Sequence, residues 1–265
     1  METAKITGNR IREYLEQGKR FDGRSPEEFR DIVIETGISK NAEGSVRVKL
    51  GNTEVLVGIK LGVSEPYPDS PNKGNLMVTS ELLPLSSSRF ESGPPSIVSI
   101  ELARVIDRMI RESKIIDLEK LCIEEGKKVW TVFIDIYSMN ADGNLLDAAG
   151  IGAVIALKNA KIPKYDKKED KVLFGELTND NIPLKKDLPI SITVHKIGNN
   201  FIVDPSLEEE DISETRLTIG IIDGAIHSMQ KGNSELLEME EFEKIIDLAE
   251  KVWKNLSLKL EKHLK

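Results

Sequence analysis

The stretch from Lys128 to Pro163 most constrains what this chain can fold into. Trp130, Val132, Ile134 and Ile136 alternate between Lys128 and Asn140, with Phe133 among them. That period of two, apolar on both sides in part, predicts a largely buried strand. Ala141-Asp142-Gly143-Asn144 predicts a turn, Asp142 and Gly143 being residue types that tolerate left-handed backbone. The segment from Ala148 to Leu157 carries no charge and is rich in Gly and Ala. It suits a helix packed closely against sheet on more than one side, closed by Pro163. A strand that turns directly into the N-terminus of a buried helix is a common anion site, because free N–H groups and the helix dipole point there. Whether this turn still holds an anion decides the chemistry.

The flanking sequence supplies the rest of the architecture. Val46, Val48 and Leu50 alternate into a turn at Gly51-Asn52-Thr53, and Val55, Val57, Ile59 and Leu61 alternate back, a hairpin. Residues 64–75 and 84–96 read as loops around a strand at Leu76–Leu83. A helix starts near Ser96, with Val98, Leu102, Val105, Ile106 and Met109 on one face and Arg104, Arg108 and Arg111 on another. Lys164–Lys171 predicts a polar connector. Beyond it a hairpin turns at Gly198-Asn199-Asn200, one strand runs through Ser213–Ile226, and a long helix starts at about Glu235 with Leu236 and Met239 on its apolar stripe. Residues 3–18 predict an amphipathic helix using Ile6, Ile11, Tyr14 and Leu15. Strands followed by a helix in each half predict an α+β fold of two similar lobes, at about 20–163 and 188–258, within a single domain over 1–265.

Charge and cysteine content narrow the function classes. A net charge of −8 argues against wholesale coating of nucleic acid, so RNA contact requires a local basic patch. Glu and Lys abound while Gln occurs only at 17 and 230, a bias seen in heat-adapted proteins. The single Cys122 excludes an intrachain disulfide or a CxxC zinc site and predicts a small buried side chain. No apolar run reaches membrane-spanning length and the first twenty residues lack an apolar core, which predicts a cytoplasmic protein with no membrane partner. His195, His227 and His263 stand far apart with no Ser or Cys at an interpretable spacing, and are expected to be structural or surface residues.

Four segments in order carry a family resemblance: Arg20-Phe21-Asp22-Gly23-Arg24, Gly51 to Val57, Gly93-Pro94-Pro95 before Ile100–Arg108, and the Ala141–Gly150 turn. Together they resemble the RNase PH-type phosphorolytic exoribonucleases, and among these the non-catalytic RNase PH-like subunit of the archaeal exosome ring. No one motif is specific; their order and spacing are. The resemblance implies a two-lobed RNase PH-like fold (ribosomal protein S5 domain 2-like) whose sheets bury the Gly/Ala-rich helix. In active members orthophosphate sits on an Ala-Asp-Gly-Gly-Thr/Ser-Arg turn, and acidic residues of a Glu-Asp…Asp pattern act at the reacting phosphate.

Carried over by position, this turn has Asn144, Leu145 and Leu146 where Gly, a hydroxyl and Arg are expected, with Asp147 next. The anion's hydroxyl and guanidinium partners are replaced by Leu, and Asp147 is expected to repel a dianion or to serve only the helix dipole. Glu210 falls at the first catalytic Asp and Arg216 at the second. Arginine cannot act as acid, base or metal ligand there, and Glu208–Asp211 reads otherwise as a solvated acidic loop. No catalytic residue, cofactor or metal is therefore expected in this subunit. The resemblance further implies RNA backbone contacts by Arg104 and Arg108, with Arg111 and Arg89 as weaker candidates. The implied partners are a catalytic RNase PH-like paralogue in a hetero-hexamer of three dimers, S1/KH-type RNA-binding caps, and RNA. Two other readings stay open: an active phosphorolytic exoribonuclease using Glu210 and Asp211, and an architectural subunit that never touches RNA.

Overall fold

A computed structural model describes residues 3–166 and 168–264. Helix α1 (Lys5–Glu16) precedes strands β1 (Ile32–Thr36), β2 (Gly44–Leu50), β3 (Thr53–Ser64) and β4 (Asn75–Leu82), then helix α2 (Ile97–Ser113). A 3-10 turn at Leu118–Leu121 leads to β5 (Cys122–Glu124), the long β6 (Lys128–Asn140) and helix α3 (Leu145–Asn159). The ribbon of β7 (Lys161–Asp166) and β8 (Lys171–Asn181) follows. The chain ends with β9 (Ile190–Ile197), β10 (Asn200–Val203), short α4 (Leu207–Asp211), β11 (Thr215–Ile222), β12 (Ala225–Gly232) and α5 (Met239–Leu264). This is an α+β fold, as the order of strand and helix signals predicts.

Two sheets sandwich α3. The first runs β1-β2-β3-β6-β4 with β5 beside β6, and only β4 lies parallel to its neighbour. Val46, Val48, Val55, Val57 and Ile59 are all fully buried on its inner face, at the alternating positions the sequence marks. The second sheet runs β10-β9-β11-β12. Its strands carry two unlike faces. Ile192 and Val194 pair with Ile219 and Leu217 on the face that α5 covers, while Ser191, Thr193 and His195 pair with Gly220, Thr218 and Arg216 on the other. That polar, small-residue face meets α3. A Cβ on Gly150 would lie 2.4 Å from the Ser191 hydroxyl, and one on Gly152 would lie 2.7 Å from a Val57 methyl. The two glycines thus set the spacing of both sheets against one helix, which explains why this segment is Gly/Ala-rich.

Several expectations are corrected. Ile6 is 84% exposed, and only Gly8, Ile11 and Leu15 of α1 are buried. The Lys164–Lys171 connector is instead the tip of the β7–β8 ribbon, and Pro163 lies inside β7. The Ser213–Ile226 strand is the start of a hairpin, because Asp223 and Gly224 both take left-handed backbone and fold β12 back on β11. The C-terminal helix begins at Met239, and Leu236 before it is exposed. Cys122 is half-buried in β5, not enclosed.

Candidate functional site

The strand-to-helix turn between β6 and α3 sits where the two sheets meet. Gly143 and Asn144, not Asp142, take the left-handed backbone there. A Cβ on Gly143 would strike the Pro205 carbonyl at 2.4 Å, so only glycine fits. Thr53 Oγ1 donates to the Gly143 carbonyl at 2.6 Å, and Arg30 donates to the carbonyls of Asp142 and Gly143 at 2.8 and 3.2 Å. Asn144 Nδ2 donates to Asp204 at 2.9 Å. The turn is therefore held rigidly from beneath. Leu146 joins the core and Leu145 packs against it, leaving neither hydroxyl nor guanidinium at those two positions.

Asp147 does not face an anion. It is fully buried and accepts from the Thr193 backbone N–H at 3.1 Å and from Thr193 Oγ1 at 2.8 Å, on the polar face of the second sheet. Burial, against the opposing Thr193 bonds, pushes its carboxyl up to about 7. The expected repulsion of phosphate by Asp147 is thus replaced by a lobe-to-lobe contact.

The run Glu208–Asp211 is α4, not a solvated loop. Ser206 and Glu209 form a capping box: Glu209 N–H donates to Ser206 Oγ and Ser206 N–H to the Glu209 carboxylate. One helical turn then sends each acid to a different partner. Glu209 takes Arg20 at 2.5 and 2.9 Å. Half-buried Glu210 accepts from the Asn144 backbone N–H at 3.3 Å, and loss of solvent around it raises its pKa against the pull of Arg216. Asp211 takes Arg89 at 2.5 and 2.7 Å and Thr3 at 2.7 Å. Burial opposes ionisation of Asp211, and the Arg89 bonds overcome it to hold the pKa below the usual range. Arg216 reaches Glu101 at 2.7 Å and Asn233 at 2.8 Å.

The arginine stripe lies on α2, which Ser96 caps. Arg104, Arg108 and Arg111 are all exposed. Arg111 is tied to Asp107 at 2.7 and 3.0 Å and to the Leu76 carbonyl, and the Asp107 contact raises its pKa. Arg108 meets Gln230 at 3.2 Å. Arg104 has no hydrogen bond or ion pair among the described residues. The guanidinium of Arg89 is engaged by Asp211 and lies apart from this stripe in its bonding. His195 is enclosed between the sheets, with Ser213 on Nδ1.

Sequence reasoning missed what the arginines below the turn do. Arg24 and Arg30 converge on Asp204, which is fully buried, and Arg20 holds the Asp204 and Val203 carbonyls. The signal was present: Ser206-x-x-Glu209 is a helix-start pattern, and it places Asp204 just outside a helix.

Residues 28–163 match the model of the 3′ exoribonuclease family, domain 1, and residues 187–252 match domain 2 of the same family. The chain belongs to the 3′ exoribonuclease family. Among its relatives in that family, an exosome complex component Rrp42 from Methanothermobacter thermautotrophicus is 47% identical over 245 residues, covering 92% of this chain and 90% of the relative. In fold it is similar to a chain of an Archaeoglobus fulgidus exosome with RNA bound to the active site, at a TM-score of 0.88 and 44% identity. That match covers 96% of this chain and 98% of the other. It is also similar to a chain of an archaeal exosome core, at a TM-score of 0.84 and 41% identity, covering 97% and 96%. The exoribonuclease fold is therefore shared over nearly all of the chain, and the RNase PH-like resemblance of the motifs holds across both lobes.

Proposed function

We propose that this chain is a non-catalytic ring subunit of an archaeal exosome. It pairs with a catalytic RNase PH-like paralogue in a hetero-hexamer of three dimers, completes the paralogue's active site, and grips RNA backbone during cytoplasmic 3′–5′ phosphorolysis. S1/KH-type proteins cap the ring. One observation carries the reading. At the α3 turn, Leu145 and Leu146 stand where an anion's hydroxyl and guanidinium are needed, and the chain's own Glu210 occupies the Asn144 N–H. Orthophosphate, the attacking species in phosphorolysis, meets neither hydroxyl nor guanidinium at those positions and finds the Asn144 N–H already taken. The exosome chains found similar to this one support its placement in such a ring.

The experiment is a phosphate-dependent exoribonuclease assay of the chain alone, of the paralogue alone, and of the two mixed. The chain alone releases no nucleoside diphosphate even at high concentration, while the mixture is active. Phosphorolysis by the isolated chain would overturn the reading.

The Arg108–Gln230 and Arg111–Asp107 contacts favour a second reading, an architectural subunit without RNA contact. Arg104→Glu with Arg108→Glu in the assembled ring separates the two. If both arginines hold phosphates, the slope of log affinity against log salt falls by roughly two and affinity drops for every sequence alike. Unchanged affinity and slope would establish architecture alone.

A further inference from the structure

We infer that Glu210 is the built-in occupant of the anion cradle at the start of α3 and keeps it closed to orthophosphate. Its carboxylate accepts from the Asn144 N–H at 3.3 Å, one of the free donors at the N-terminus of a 15-residue helix. No side chain caps that terminus from within, so a carboxylate delivered by α4 stands where a bound anion would. Its place is not slack. The Ser206–Glu209 capping box and the Arg20–Glu209 pair fix α4, and Arg89 draws the neighbouring Asp211 away to another partner. The positive charges of Arg216 and Arg30 act on Glu210 against the negative charge of Asp211, and an ion in its stead would feel all three.

A second feature points to the ion. Asn144 is 1% exposed, yet among the described residues its side-chain oxygen has no hydrogen-bond partner. A buried acceptor on the residue whose N–H is the donor suits an anion that carries its own O–H. Hydrogen phosphate has one; an ionised carboxylate has none. The contact with Glu210 therefore satisfies the donor and leaves the acceptor orphaned, at a cost that a protonated oxyanion would remove.

This deepens the reading of a silent turn, but its test needs neither paralogue nor RNA. The full chain is titrated with inorganic phosphate, followed through the Asn144 amide resonance and by calorimetry. Glu210→Ser frees the N–H and leaves room for the ion. Orthophosphate affinity at the turn then rises at least about tenfold over the unaltered chain, whose Asn144 resonance stays still. Glu210→Gln keeps the side-chain volume and hence the packing of α4. It gives a smaller rise, because a neutral amide oxygen holds the N–H less strongly than a carboxylate. The inference is overturned if folded Glu210→Ser and Glu210→Gln both leave Asn144 unmoved at saturating phosphate. It is equally overturned if the unaltered chain binds orthophosphate there as tightly as Glu210→Ser. Failure to assemble with a paralogue would count against the ring reading and leave this result standing.

Discussion

Asp204→Ala lowers the unfolding free energy of the chain by about 3–5 kcal/mol in urea titration, the cost of removing one partner from a buried ion pair. Asp204 is completely buried. Its carboxylate accepts from Arg24 Nη1, from the Arg30 backbone N–H, Nε and Nη2, and from Asn144 Nδ2, all between 2.7 and 2.9 Å. Deleting it strips two guanidiniums, each only 11% exposed, of their shared buried carboxylate, leaving Arg24 with Asp22 at 2.6 Å and Arg30 with Asp142 at 3.8 Å. Asp204 also takes left-handed backbone at φ 47, which alanine resists by a further kcal/mol or so. Asp204→Asn tolerates that backbone and keeps one acceptor, so it costs less than Asp204→Ala by the backbone share together with the hydrogen bonds that the amide oxygen retains. In an Arg30→Leu background the alanine change costs less by more than about 1 kcal/mol, since the pair is already broken. A loss under about 0.5 kcal/mol for Asp204→Ala would mean that the cluster is ornamental. Because the same carboxylate holds the first arginines, the α3 turn and the second sheet, its loss also loosens the turn that Glu210 closes.

How much of this was legible depends on how local the signal is. The β2–β3 hairpin and α3 could be read directly, because alternation and an uncharged Gly/Ala run are properties of neighbouring residues. The β7–β8 ribbon could not. Phe174 and Leu177 are exposed on it, so no buried stripe marks it against its Lys- and Asp-rich tip. At the site, the replacement of hydroxyl and guanidinium by Leu145 and Leu146 was visible by position alone. The fates of Glu208–Asp211 were not, since four consecutive acids look alike in sequence. Only the 100° step of a helix sends Glu209 to Arg20, Glu210 to Asn144 and Asp211 to Arg89. The expectation for Asp147 failed for a related reason. A carboxylate at a helix start is normally a solvated companion of the dipole, and nothing local reveals that another lobe's Thr193 will cover it.

Asp147→Asn raises stability above pH 7 and makes the chain more acid-labile. Asp147 titrates at about 7 in the fold against an ordinary 3.8, so the native state binds more protons than the unfolded chain between those values. Asp147 alone therefore makes the fold weaker as pH rises from about 4 to 7, by up to about 4 kcal/mol at roughly 1.4 kcal/mol per unit. His195 has the opposite sign. Burial first, then the Arg216 charge, drops its pKa to about 3 from 6.5, so it folds neutral and its contribution is lost as pH falls below 6.5. Among the described residues its Nε2 has no partner to hold a proton, which agrees with that direction. Between about pH 4 and 6.5 the two slopes oppose each other and the unaltered chain shows a shallow profile. Asparagine accepts from the Thr193 N–H through Oδ1 and donates to Thr193 Oγ1 through Nδ2, keeping both contacts without a charge. Urea midpoints measured from pH 4 to 8 thus rise for Asp147→Asn at the alkaline end and fall more steeply than in the unaltered chain below pH 6.5. His195→Gln restores the shallow acid limb in that background. Parallel profiles for the chain with and without Asp147 would show that this carboxyl ionises normally despite its burial, and the polar seam between the lobes would then have to be open to water.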